Sequence, residues 1–190
     1  MTKNLDLNGL HSIADYYDLF YIDLWGVVHN GIKLHEQAIV VLEELLKKKK
    51  MIVLLTNAPR PNKTVQSVLE KMGMNKVLRE HVFTSGEAAL NYLKKSFLSK
   101  RFYHIGPPKD FDLFYSFEKD KCKNIIDSEY LLCTGLFDDH NKDLKFYKDL
   151  LEKHIAKKMI CTNPDLIVDR GEVREPVSYT HLTLPTTPYV

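Results

Sequence analysis

Residues 20–31 read Phe20-Tyr-Ile-Asp23-Leu-Trp25-Gly26-Val-Val28-His-Asn-Gly31, and the fold follows from how this stretch begins. Leu19 to Asp23 is a short apolar run that ends on a carboxylate and passes into a glycine-containing turn. A buried parallel strand delivers a side chain to the carboxyl edge of a sheet in this way. Downstream, Ala38, Val41, Leu42 and Leu45 recur at i, i+3, i+4 and i+7, which predicts a helix over residues 36–48 packed on the sheet. A second apolar run, residues 51–55, breaks into the polar loop Thr56-Asn-Ala-Pro-Arg-Pro61. Helical spacing returns at Val65, Val68, Leu69 and Met72, with Gly73 as the stop. Val82-Phe83 predicts a brief strand, and Thr84-Ser-Gly-Glu87 has the spacing of a capping box that opens a helix through about Lys95. A β-α-β-α-β-α order with short connections predicts an α/β fold built on a parallel, right-handed, Rossmann-like sheet.

The pattern restarts near residue 100. Phe102 to Ile105 predicts a strand, followed by a loop through Pro107-Pro108, a strand at Tyr130 to Cys133, a helix from about Asn141 to Lys157, and a strand at Met159 to Thr162. The expected division is therefore an N-terminal unit, residues 1–99, and a smaller α/β unit, residues 100–174. From about Pro176 the text changes to Thr- and Pro-rich sequence without a helical or strand period. Residues 175–190 resemble translated adaptor or vector DNA more than a natural disordered terminus, which is normally richer in Glu, Lys or Ser. They are read as a non-native tail on a chain cut short.

At 190 residues with 44% hydrophobic side chains, the chain is long enough to build a core. Lys and Arg number 27 against 25 Asp and Glu, so no basic surface for nucleic acid is implied. The one basic run, Lys47 to Lys50, closes the first helix, where cations meet the negative end of the macrodipole. Three scattered cysteines, Cys122, Cys133 and Cys161, make neither a disulfide framework nor a zinc site and fit a reducing, cytoplasmic setting. Cys133 and Cys161 lie in apolar runs and read as small core residues. The N-terminus has no signal pattern, and no segment approaches the roughly 20 apolar residues of a membrane span.

Taken together, residues 20–31 and Leu54-Leu-Thr56-Asn57 resemble the first two motifs of the haloacid dehalogenase (HAD) superfamily: Asp at the end of one strand, Thr at the end of the next. Thr56-Asn57 followed by a basic loop is similar to the type IIA group in particular. Thr84-Ser85-Gly86-Glu87 and Thr162-Asn163-Pro164-Asp165 extend the resemblance over roughly residues 15–172. It implies a partial Rossmann-like HAD core with the second unit as a cap that covers the site and selects substrate. It also implies a phosphatase-like hydrolase that acts on a small phosphorylated metabolite through an aspartyl-phosphate. By that pattern Asp23 is the nucleophile and a Mg²⁺ ligand, and the Trp25 carbonyl is a second metal contact. Thr56 and Asn57 donate to the phosphate. Arg60, with Lys63 near it, is a candidate phosphate or substrate contact, since a basic fork stabilises an anion; a solvated loop explains both equally well.

Trp25 departs from the pattern. The family's phosphatases hold a second Asp there, the general acid and base, and indole can do neither job. Losing that group typically costs roughly 10²- to 10⁴-fold in rate. His29 is a replacement only if it is not an ordinary loop histidine bonded to backbone. Two further family motifs, a Gly-Lys-Pro-like segment and an acidic segment that completes the metal site, have no match before Arg174, and the chain as it stands is expected to be inactive alone. The alternative is a non-catalytic phosphate-binding or regulatory protein that lost its acid/base at Trp25. A GTPase reading fails for want of a Gly-x4-Gly-Lys-(Ser/Thr) loop. No nucleic-acid or membrane partner is expected, and assembly into a homo-oligomer stays open.

Overall fold

A computed structural model describes residues 9–140, 143–163, 167–170 and 173–176, the last two stretches as backbone. Packing divides the chain into two compact units. One takes the chain up to Thr56 together with Val68–Val82, and the other takes Asn57–Ser67 together with the chain from Phe83 onward.

In the first unit, two single-turn 3₁₀ segments lead into β1, Leu19–Asp23. It pairs in parallel with β2, Met51–Thr56, from Leu19 opposite Met51 to Asp23 opposite Leu55. The connection is α1, Glu36–Lys47, which buries Leu42 and Leu45 of the four predicted positions, with Ala38 half-buried and Val41 exposed. Lys49 closes the helix in the left-handed region, φ 58°, with its N–H donating to Leu46 and the Lys50 N–H to Leu45. A non-glycine residue there costs roughly 1–2 kcal/mol. Beside it Lys48 meets Asp15 at 2.8 Å and Lys50 meets Asp18 at 3.6 Å, pairs that tie the helix end to the chain entering β1.

The helix α2, Asn62–Lys71, ends as expected at Gly73, φ 90°, with the Gly73 and Met74 amides returning to Glu70 and Leu69. After α3, Lys76–Arg79, capped by the Asn75 side chain on the Val77 N–H, the chain enters β3, Val82–Thr84. The sheet order is β1-β2-β3.

The second unit holds another parallel sheet, ordered β4-β5-β6: Phe102–Ile105, Tyr130–Cys133 and Lys158–Cys161. All four residues of β5 are buried. Their period-two alternation supplies a core on each face. Tyr130 and Leu132 join Phe102, Phe114 and the Leu90 and Leu93 side chains of α4, Ser85–Ser96. Leu131 and Cys133 join Ile105, Met159, and Tyr147 and Leu151 of α5, Leu144–Glu152. A sheet covered on both faces is what a continuous apolar strand requires. Cys133 is thus a buried core residue, and all three cysteines are free thiols.

The α5 helix is shorter than predicted. Asp143 accepts from the Phe146 N–H and starts it, and residues 141–142 lie outside the described residues. The predicted loop after β4 is instead a chain of 3₁₀ segments, Pro108–Leu113, Tyr115–Asp120 and Ile125–Asp127, which carries Phe111, Phe114 and Phe117 to the core. An antiparallel hairpin, β7 (Ile167–Arg170) and β8 (Val173–Pro176), was not predicted, because four-residue strands show too little period. The expected tail lies outside the described residues apart from Glu175 and Pro176, which end β8. Among the described residues no helix is long and apolar enough to cross a membrane.

His104 on β4 is 6% exposed, and its Nε2 lies 2.8 Å from the Thr134 hydroxyl. Burial, aided by the Lys121 charge, pushes its pKa down to about 4. The folded state therefore refuses a proton that the unfolded chain accepts near pH 6.5. Stability should be whole above that pH and fall as the pH drops towards 4, by roughly 3 kcal/mol at the limit. Denaturant titrations should show this acid limb flattened in His104→Gln; an unchanged limb would refute the assignment.

Candidate active site

Asp23 is the last residue of β1 and exposed; its Oδ1 accepts from the Leu24 N–H at 2.8 Å. Leu24 extends the ladder by one bond, donating to the Leu55 carbonyl at 3.1 Å, while its side chain is fully buried. Because Asp23 stands opposite Leu55, Thr56 is the next residue along the same edge, at the end of β2. Two parallel strands therefore finish together, one on a carboxylate and the other on a hydroxyl.

The chain after Asp23 is a tight turn. The Leu24 carbonyl accepts from the Val28 and His29 amides, and the Gly26 N–H, at φ 76°, donates to the His29 carbonyl at 2.8 Å. The Trp25 and His29 rings meet edge to face, 5.4 Å between centroids. His29 is 7% exposed, and its Nδ1 accepts from the Gly31 N–H at 2.9 Å. That is the backbone-bonded loop histidine considered in the sequence. Desolvation, assisted by His35, lowers its pKa, with Asp23 opposing. The neutral ring then carries its proton on Nε2.

The remaining sequence-derived residues belong to the second unit. Asn57 is exposed, and so is Lys63. Arg60 is engaged: its Nε lies 3.4 Å from the Asp110 carboxylate and its Nη2 donates to the Lys109 carbonyl. Asp110 is 3% exposed. Burial raises its pKa, while the Thr134 hydroxyl and the Arg60 charge pull the other way. This partner of Arg60 was not read from the sequence, because a single Asp in a Pro-containing loop carries no local signal.

Around Arg60 the chain is knotted to the start of α4. Thr84 caps that helix by accepting from the Glu87 N–H at 2.8 Å, as the capping box predicted. The returning arm differs: the Thr84 N–H goes to the Asn62 side chain, and the Glu87 carboxylate accepts from the Asn62 N–H. The Thr84 hydroxyl donates to the Arg60 carbonyl at 2.6 Å, and the Gly86 N–H to that of Ala58 at 3.1 Å. A Cβ on Gly86 would fall 2.3 Å from the Arg60 nitrogen, so only glycine admits this approach. The Ser85 hydroxyl reaches both the Ala58 and Thr162 carbonyls. Two segments singled out separately in the sequence, Thr84 to Glu87 and Thr162-Asn163, are thus in contact; Pro164 and Asp165 lie outside the described residues.

A family model described as haloacid dehalogenase-like hydrolase matches residues 20–116, just over half of the chain. The chain belongs to the haloacid dehalogenase-like hydrolase family. Its fold is similar to that of a HAD-like hydrolase from Brucella suis 1330, at 29% identity and a TM-score of 0.79 over 91% of this chain. A HAD superfamily protein from Cytophaga hutchinsonii matches at 16% identity and 0.76 over 95%, and a 4-nitrophenylphosphatase from Thermotoga maritima at 23% and 0.69 over 92%. The chain spans 66% of the length of each of these relatives, under two thirds. No curated protein matches it in sequence. The HAD placement agrees with the resemblance carried by residues 20–31 and 54–57.

The HAD turn after Asp23 depends on Gly31. Its φ is 86°, and a Cβ there would sit 2.6 Å from the Trp25 ring. Gly31→Ala should destabilise the chain by about 1–3 kcal/mol, read from chemical unfolding. A loss within error of zero would mean that the turn is not held as described.

Proposed function

We propose that the protein is a phosphatase-like hydrolase of a small phosphorylated metabolite, working through an aspartyl-phosphate at Asp23. The observation that carries this is the β1–β2 register, which ends a carboxylate and a hydroxyl at one sheet edge. An exposed carboxylate at a strand end can reach a phosphorus atom, and hydroxyl and amide donors beside it can hold the charge that develops on the phosphoryl oxygens. In this reading Thr56 and Asn57 are those donors. Arg60, held by Asp110, is the candidate substrate contact. In the same reading residues 100–174 are the cap that selects the substrate.

Among the described residues no three His, Cys, Asp or Glu gather as a metal cluster. The Asp23 carboxylate and the Trp25 backbone carbonyl are hard oxygen donors of the kind magnesium takes, and they would hold it together with waters. Bound there, Mg²⁺ would neutralise charge on the transferring phosphoryl group. The 4-nitrophenylphosphatase and the Brucella hydrolase support the reaction class. Three free thiols support a cytoplasmic setting.

Trp25 favours a second reading, a HAD-like protein that binds phosphate without turning it over. A Mg²⁺-dependent assay with 4-nitrophenyl phosphate on the full-length protein separates the two. Turnover should be abolished in Asp23→Asn and reduced roughly 10²- to 10³-fold in Thr56→Ala. Activity surviving in Asp23→Asn removes the nucleophile. Phosphate-induced stabilisation without any turnover supports the binding protein.

A further inference from the structure

By the family pattern the residue two places after Asp23 carries the proton to a departing group, and here it is an indole packed against Gly31 and His29. The Trp25 ring lies so close over Gly31 that a Cβ there would come within 2.6 Å of it, and His29 meets it edge to face. The turn beneath is tied by the Leu24 and His29 carbonyls, so the backbone that carries the indole is held. Along residues 23–31 and 55–57 the titratable side chains are Asp23 and His29 alone. Asp23 is the attacking group, and the His29 ring is buried with its acceptor nitrogen filled by the Gly31 N–H. Next along the chain come Lys33, exposed, with its carbonyl accepting from the Asn30 N–H, and His35 at the start of α1, its N–H bonded to the Val28 carbonyl.

We infer that the protein is specific for activated phosphoryl donors, acyl phosphates and phenolic phosphate esters, whose leaving group departs as a stable anion, and discriminates against alkyl phosphate esters. This rests on Asp23 as nucleophile. In the first step an Asp23 carboxylate oxygen forms a bond to phosphorus, and the bond from phosphorus to the leaving oxygen breaks. Its electron pair stays on a carboxylate or phenolate that needs no proton. In the second step a water oxygen attacks phosphorus, the Asp23–phosphorus bond breaks, the carboxylate is restored, and the proton is released to solvent. An alkoxide leaving group would need protonation during the first step, and without a positioned acid its transfer is slower by roughly 10²- to 10⁴-fold. Because the second step also lacks a base, the phosphorylated form of Asp23 accumulates.

The test uses the full-length protein with Mg²⁺ and three substrates: acetyl phosphate, 4-nitrophenyl phosphate and glycerol 3-phosphate. The expected result is a kcat/KM at least roughly 10²-fold higher for the first two than for the third, with a burst of nitrophenol stoichiometric with protein before a slower steady state. Trp25→Asp should raise kcat/KM for glycerol 3-phosphate and shrink the ratio. Glycerol 3-phosphate turned over within tenfold of 4-nitrophenyl phosphate by the unaltered protein would overturn the inference while leaving Asp23 as nucleophile, and needs no variant to fold. Absence of turnover and of burst with all three would overturn both.

Discussion

The site depends on a five-residue parallel ladder. Because β1 and β2 run in parallel and Leu19 pairs with Met51, the two strands finish one residue apart, and whatever follows each apolar run is presented at one edge. A slip of one residue would turn every side chain of β1 to the opposite face and send Asp23 with it. The register is held by alternation: Ile52 and Leu54 of β2 are buried, while Leu19 and Tyr21 of β1 face outward with Asp23. The chemistry of the edge is thus decided by apolar residues that take no part in it.

The second constraint is the close approach of backbone to backbone at Gly86. The segment from Ala58 to Asn62 lends its carbonyls and one side chain to the start of α4, and α4 in turn buries Leu90 and Leu93 in the core that Phe102, Tyr130 and Leu132 complete. Arg60 is held from its backbone by Thr84 and from its guanidinium by Asp110. A buried carboxylate whose own ionisation is opposed by desolvation gains from a guanidinium nearby, and the same pairing takes rotamer freedom from an arginine. Such an arginine is a fixed charge within its unit, unlike Lys63, which is exposed.

Much of this was legible because local chemistry and global fold agree. The Asp23 and Thr56 strand ends, the Gly73 stop, the Thr84 cap and the continuous apolar strand from Tyr130 to Cys133 are each written in a handful of adjacent residues. What stayed hidden is non-local. Nothing adjacent to Asn62 says that it will take the Thr84 N–H, 22 residues away, and the Arg60–Asp110 pair joins two loops. The 3₁₀ run from Pro108 to Asp127 is also silent in sequence: i+3 spacing of Phe111, Phe114 and Phe117 is also the helical spacing, and the prolines read as loop. The β7–β8 hairpin is too short for alternation to register.

Trp25 is the point where the HAD pattern and this chain part, and the structure gives the departure a physical form. A carboxylate at that position would require solvation or a donor. The indole instead is accommodated against Gly31, with His29 turned edge-on to it and tied to the same glycine's N–H. Three residues within one turn are mutually fitted, so changing Trp25 to an acid is not an isolated substitution: it would leave the space over Gly31 unfilled and strip His29 of its ring contact. A turn so fitted around an indole holds the strand end that carries Asp23, and in the proposed reading it ties the choice of leaving group to packing rather than to titration.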